Sequence, residues 1–196
     1  MGRMNRVAVR DAGEGLLSER LLLRRFTLAD LPLLTVLNAD PVVMRYLGGV
    51  ETPEQTLAML RGRILDYYQA NPGLGVWATL LRAGGECIGF HLLNHIQGES
   101  LIQVGYRLFP RYWGYGYATE MSVALLRYGY AQLKLPYITA VTALDNEASQ
   151  RVLLKAGLKR HGERSFAHPA YAPYGPLAWF ERTAQDWLTE HQANEL

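Results

Sequence analysis

Apolar residues switch between strand and helix spacing along the chain, and the order of those switches predicts the fold class. Arg20 to Phe26 (RLLLRRF) reads as a first strand, its three consecutive leucines suiting a buried strand better than a half-exposed one. Thr27-Leu28-Ala29-Asp30 is a capping-box pattern with Phe26 and Leu31 placed as a hydrophobic staple, so a helix opens there. Asp40-Pro41 interrupts it. Thr52-Pro53-Glu54-Gln55 starts a second helix, with Thr as N-cap and Pro at the first helical position. Leu57, Leu60, Ile64, Leu65 and Tyr68 supply its apolar face, and Asn71-Pro72-Gly73 ends it.

The middle of the chain changes period. Val76 to Leu81 and Cys87 to Leu93 are strand-like and joined through Gly84-Gly85 as a hairpin, and Leu101 to Leu108 is a third such run. Ala118 to Leu133 is helical, with Met121, Ala124, Leu125 and Tyr128 on one stripe and Pro136 at its exit. Tyr137 to Thr142 is short and β-branched, as a buried strand should be. Asn146 to Ala156 is helical, with Gly157 where a C-cap glycine belongs. Weaker strands follow near Leu158–Arg164 and Leu177–Glu181, then a polar helix from Thr183. The helix between strands 101–108 and 137–142 makes that pair parallel, while the hairpin is antiparallel, so the class is α/β with a mixed sheet.

Composition narrows the function. At 196 residues the chain favours one domain, since chains split only beyond about 250–300 residues. No apolar run approaches the roughly 18 residues needed to span a bilayer, and Met1–Glu14 lacks the apolar core of a secretion signal. The single cysteine, Cys87, excludes an intrachain disulfide framework and a multi-cysteine metal cluster. These features lead us to expect a cytoplasmic protein with no membrane partner. A net charge of +2 with pI 8.7 falls short of the basic stripe of a nucleic-acid binder.

One cluster stands out. Tyr106, Phe109, Tyr112, Trp113, Tyr115 and Tyr117 alternate with Gly and Arg where the third strand candidate runs into a helix. Gly114 and Gly116 permit a tight turn with amides pointing one way, and the positive helix end then makes an anion site, with Arg107 and Arg111 as neighbouring cations. A P-loop would need a Lys after Gly116, and a dinucleotide fingerprint would need a small residue where Thr119 stands.

Arg111, Gly114, Gly116 and Ala118 match Arg-x-x-Gly-x-Gly-x-Ala, which resembles the pyrophosphate loop of the GNAT (general control N-acetyltransferase) superfamily. Asp145-Asn146-Glu147-Ala148-Ser149 and Lys155-Ala156-Gly157-Leu158, on the next helix, resemble a second motif of that superfamily. The flanks Glu19–Arg24 and Tyr112–Glu120 look like the RimJ/RimL-type branch, whose members acetylate N-terminal amines of ribosomal proteins. The resemblance implies a domain over 18–182, with 1–17 a flexible arm and 183–196 a C-terminal helix and tail. It implies a mixed, mostly antiparallel sheet of about six to seven strands, helices on both faces, and a V-shaped splay between strands 101–108 and 137–142.

It also implies chemistry. Acetyl-CoA is the expected cosubstrate, with no metal. Its pantetheine arm would pair with the main chain near Tyr106, Arg107 and Leu108. Its pyrophosphate would rest on Arg111, Trp113, Gly114, Tyr115, Gly116, Tyr117, Ala118 and Thr119. Transfer would be direct: a neutral primary amine, of a peptide N-terminus or a small molecule, attacks the thioester, and a strand amide stabilises the oxyanion. A non-catalytic CoA-binding module is the alternative. Oligomeric state is left as monomer or homodimer.

Individual residues keep two readings. Asn146 is either a helix N-cap or a pantetheine ligand. Ser149 is either the proton donor to the departing thiolate or a small packed residue. Relatives with a tyrosine acid carry it where Leu153 stands. Where many relatives hold a strand glutamate, this strand offers Gln103, so Glu99, His91, His95 and His168 remain as candidate bases. Cys87 reads as a buried small hydrophobe and Glu120 as a complement to the helix dipole. Tyr46, Tyr171, Tyr174 and Trp179 are candidates for the acceptor wall.

Overall fold

The computed structural model describes residues 15–193, so residues 1–14 of the expected arm and the last three residues lie outside the described residues. Strand β1 (Leu21–Arg25) leads through a 3-10 turn into α1 (Leu31–Ala39) and α2 (Pro41–Met44). Next come α3 (Pro53–Ala58), a π-helical stretch (Met59–Leu65) and α4 (Asp66–Ala70), which form one continuous rod. Strands β2 (Gly75–Leu81), β3 (Cys87–His95) and β4 (Ile102–Leu108) follow, then α5 (Tyr117–Ala131) and β5 (Tyr137–Ala143). The chain closes with α6 (Glu147–Lys155), β6 (Lys159–Arg164), β7 (Leu177–Thr183) and α7 (Ala184–Ala193).

Among the described residues the strands form one seven-stranded sheet in the order β1-β2-β3-β4-β5-β7-β6. Every neighbouring pair is antiparallel except β4 and β5. The mixed α/β class, the strand count and helices on both faces all agree with the expectation. One face packs α5 and α6 over Leu93, Val104, Leu108, Ile138 and Ala140. The other packs α1–α4 over Phe26, Val76, Ala78 and Phe90.

Two starts follow from local chemistry. Thr52 Oγ1 accepts from Gln55 N–H at 3.3 Å while Gln55 Oε1 accepts from Thr52 N–H at 2.7 Å, the reciprocal pair a capping box requires. The expected helix at Thr27 begins instead as a 3-10 turn and becomes α-helical only at Leu31. Asp30 explains the tight turn: it accepts from Thr27 N–H at 2.8 Å and also pairs with Arg24 at 2.6 Å.

β1 differs from the reading of a strand buried on both faces. It is an edge strand, with Leu21 and Leu23 fully buried and Leu22 half-buried. Its outer edge is covered by the preceding segment: Leu23 N–H donates to the Leu16 carbonyl at 2.8 Å, and Leu17 bridges to Leu22. That cover supplies apolar surroundings which a leucine run would otherwise find only inside a sheet.

Candidate active site

The site begins where the sheet splits. A single register pair, Gln103 opposite Thr139, joins β4 to β5, reinforced by Thr139 Oγ1 donating to the Ile102 carbonyl at 2.9 Å. Ile96 N–H bonds to the Leu101 carbonyl and Phe109 N–H to the Ile88 carbonyl, so odd-numbered residues of β4 bond to β3. The main-chain groups of Tyr106 and Leu108 therefore face β5, but no β5 residue pairs with them. On β5 the Ala184 N–H to Pro136 carbonyl bond likewise turns the even positions to β7 and leaves Val141 and Ala143 facing the gap. An extended chain carrying amides fits between these free edges.

The glycine turn stands at the mouth of the split. Pro110–Tyr112 forms a 3-10 turn, and Gly114 and Gly116 both take φ of 82°, in the left-handed region where a side chain is strained. Gly116 is the N-cap of α5, whose first main-chain bond is Glu120 N–H to the Gly116 carbonyl at 2.9 Å. The amides of Tyr117, Ala118 and Thr119 thus precede any intrahelical bond, and Gly114–Gly116 are exposed beside them. Backbone donors and the helix dipole together give this turn the chemistry to hold a phosphate.

The cations sit differently from the sequence-based expectation. Arg111 is exposed, lies over the Phe109 and Tyr112 rings and pairs with Glu86 at 3.5 Å. Arg107 turns its side chain to the opposite face of the sheet, over Phe90, and its main chain falls on the β3 side. Arg20, which belongs to neither sequence motif, lies over the Tyr117 ring at 4.6 Å, and Tyr115 stacks on Tyr117. Glu120 holds it there, accepting from Arg20 N–H at 2.7 Å, Arg20 Nε at 2.6 Å and Ser18 Oγ at 2.7 Å. Burial alone would raise the Glu120 pKa, but these hydrogen bonds outweigh it and hold the carboxyl below its ordinary range. The only sequence signal for Arg20 is its place in the Glu19–Arg24 flank.

Across the split, Asn146 is the N-cap of α6, its Oδ1 accepting from Ser149 N–H at 3.1 Å, which leaves the amide NH2 free to donate. Ser149 of α6 lies close enough across the gap for its hydroxyl to act on the Tyr106 phenol of β4. Burial raises the Tyr106 pKa, with the Ser149 bond opposing it. Trp113 is half-exposed, its Nε1 anchored on the Leu108 carbonyl at 2.8 Å. Leu153, one turn after Ser149 on α6, is buried among core residues and carries no group that could act as an acid.

Of the candidate bases, His91 is fully buried with Nδ1 on Thr79 Oγ1 at 2.7 Å, and burial pushes its pKa down to about 3. It is a neutral packing residue under Tyr106, ring to ring at 5.8 Å. Gln103 bonds to Asn94 at 3.4 Å. His95 Nδ1 shares a hydrogen bond with Tyr67 Oη at 2.6 Å, Glu99 pairs with Arg164 at 3.2 Å, and His168 caps a short turn through Ala170 N–H. Cys87 is half-buried with its thiol pKa raised by burial, which leaves it a poor nucleophile.

The face that carries α1–α4 holds a pocket of about 560 Å³ lined by Arg63, Tyr67, Asn94, His95 and residues 96–100. The 165–176 loop lies beside it, where Phe166, Tyr171 and Tyr174 form a ring cluster with Trp179 of β7, at centroid distances of 4.7 to 6.3 Å. Tyr171 Oη accepts from Gln97 N–H. Tyr46, expected with them, carries the Arg45 guanidinium over its ring. Beside this cluster lies a network that sequence reasoning missed. Fully buried Asn38 donates to Glu51 at 2.8 Å and Thr56 at 3.2 Å, and accepts from Arg107 Nη1.

A free strand edge leading to a turn of exposed amides has the chemistry to hold a long, amide-bearing, phosphorylated ligand, and the pocket lies on the face of the sheet that carries α1–α4. The sequence model of the acetyltransferase (GNAT) domain matches residues 20–159, and the chain belongs to that family of N-acetyltransferases. It is 33% identical over 163 residues to the uncharacterized N-acetyltransferase YoaA of Bacillus subtilis, covering 80% of this chain and 90% of that protein. It is 28% identical to the FsC-acetyl coenzyme A-N(2)-transacetylase of Aspergillus fumigatus, covering 78% of this chain and 68% of that one. The solved GNAT-family acetyltransferase of Bacillus anthracis superposes with TM-score 0.70 at 27% identity, over 86% of this chain and 98% of the other.

Proposed function

We propose that the chain binds acetyl-CoA in the gap between β4 and β5 and transfers its acetyl group directly to a primary amine. The observation that carries this reading is the lone Gln103–Thr139 pair, which leaves the Tyr106 and Leu108 main chain unpartnered beside the free amides of the Gly116 turn. The residues fit a pyrophosphate with an amide-containing arm: six consecutive positions, Gly114–Thr119, present main-chain donors, and both glycines hold the φ the turn requires. Arg20 adds a cation at the seat, and Asn146 offers its amide NH2 to the arm.

The thioester supplies the electrophilic carbonyl. The Leu108 or Tyr106 N–H, already aimed into the gap, donates to the oxygen as charge develops there. Ser149 gives its proton to the departing sulfur and regains one, through water, from the nitrogen, which loses a proton as the amide forms; the Tyr106 phenol beside it supports it. His91 takes no proton at neutral pH because it is buried and neutral. The amine approaches from the pocket lined by Arg63, Tyr67 and His95, beside Tyr171. A small amine or an extended peptide N-terminus of the RimJ/RimL-type reading suits that open face, in a reducing cytoplasm that leaves Cys87 free.

Free-thiol release from acetyl-CoA with a panel of amines and short peptides tests the reading. Turnover of at least one acceptor is expected, as is thermal stabilisation by CoA and none by NAD. Stabilisation by NAD alone, or no effect of CoA, would overturn it.

A further inference from the structure

Arg107 is a cation in search of a partner. The structure gives its guanidinium one hydrogen bond, Nη1 to Asn38 Oδ1, while Nε is enclosed and unpaired. Among the described residues no carboxylate lies within salt-bridge distance of it. Burial draws its pKa down to about 10, with Glu51 as the compensating charge and Arg63 as a repelling one. A guanidinium left in this condition costs stability unless something else satisfies it.

What surrounds it says which ligand. Gln103, Gly105 and Arg107 occupy one face of β4, the face carrying α1–α4, and Gln103 bonds to Asn94 of the acceptor pocket. Arg63 lines that pocket and acts electrostatically on Arg107, Tyr171 and Tyr174 alike. Arg107 with Arg63 against Glu51 leaves one net positive charge, since Arg164 and Glu99 already neutralise each other. Tyr174 brings a phenol near Arg107, and the Tyr171 ring lies 6.3 Å from that of Tyr174. One excess positive charge, a planar fork and nearby phenols match a monoanionic carboxylate better than a phosphate dianion.

We propose that Arg107, backed by Asn38 and Glu51 and flanked by Arg63 and Tyr174, forms an anion subsite that recognises a carboxylate on the amine acceptor. The inference rests on the acetyl-transfer reading and adds the acceptor's chemical class. The carboxylate belongs either to a free amino acid or to the side chain of an acidic residue in a peptide.

The test compares matched acceptors with acetyl-CoA: ω-amino acids against their carboxamides, and Ala-Asp amide against Ala-Asn amide. An acceptor that cannot accept the charge-assisted fork should fall by roughly 30-fold in kcat/KM, the equivalent of about 2 kcal/mol. We expect the wild type to favour a carboxylate partner by that factor in one of the two series, which also tells the sources apart. Arg107→Gln collapses the ratio toward one, and Arg107→Lys restores part of it. Equal rates for both members of each pair, or an unchanged ratio in Arg107→Gln, overturn the inference while leaving acetyl transfer intact. Should no acceptor turn over, calorimetric titration of the CoA-loaded protein with N-acetylated amino acids against their amides decides it: tighter binding of the acids supports the subsite and equal binding refutes it.

Discussion

Glu120→Ala is the perturbation whose size the structure sets most directly. The carboxylate is largely buried, with 17% of its side chain exposed, and it accepts three bonds of 2.6 to 2.7 Å from Ser18 and Arg20. A hydrogen bond to a charged group contributes about 1.5–3 kcal/mol when shielded. The Arg20 Nε interaction is discounted because the Arg20 side chain is 45% exposed and solvent screens it. The Ser18 hydroxyl and the Arg20 amide remain, giving a loss of about 3 kcal/mol, which in a chain of this size lowers Tm by roughly 6–12 °C. Glu120→Gln keeps a carbonyl acceptor and should be destabilised by about half as much.

The dependence on pH has a definite sign. The folded carboxyl sits below its ordinary value of 4.5, so its contribution is complete above that value and fades as pH falls through and below it. Urea unfolding of wild type and Glu120→Ala should therefore differ fully at pH 7 and converge below pH 4.5. A difference under about 0.5 kcal/mol at pH 7, or one that persists unchanged in acid, would refute the assignment. Because Arg20 lies beside Gly116, the same variant should also weaken CoA binding several-fold by calorimetry.

Three further outcomes are expected. Gly116→Ala forces a side chain to φ of 82°, costing about 1–2 kcal/mol; it should lower Tm and CoA affinity together, and unaltered affinity would detach the turn from the phosphate. Ser149→Ala should slow turnover by about 10- to 100-fold while acetyl-CoA affinity stays within twofold; equal rates return Ser149 to packing. Buried His91 stays neutral down to about 3, whereas the unfolded chain protonates near the ordinary 6.5. Stability should thus fall on acidification below pH 6.5 by up to about 1.4 kcal/mol per unit. Urea midpoints between pH 7 and 5 should lose that slope in His91→Gln.

What could be read in the sequence was local. The Thr52–Gln55 box, the Gly116 turn and the Gly157 cap each depend on residues a few positions apart, and each stands where the pattern put it. Asn146 took the cap role and kept a donor free, so its two readings are compatible. The features that were missed join distant positions: Arg20 reaches Glu120, and Arg107 reaches Asn38, pairs of 100 and 69 residues separation. Glu120 read as a helix-dipole complement because its partners belong to the segment ahead of β1. The π-helical stretch Met59–Leu65 left no trace in the spacing of Leu57, Leu60 and Ile64, since one widened turn barely shifts an apolar stripe.

The lone Gln103–Thr139 pair also makes the molecule two half-sheets, β1–β4 and β5–β7, sewn by one stitch and by the helices that cross them. A ligand bonded to both free edges acts as an extra strand across that seam. At about 100 times its dissociation constant, such a ligand adds about 2.7 kcal/mol to the folded state. On the proposed reading the protein's mechanical weak line is also the place where its donor binds. A cell short of acyl donor would hold this enzyme not merely idle but less durable, with hydrogen exchange expected to quicken first along β4 and β5.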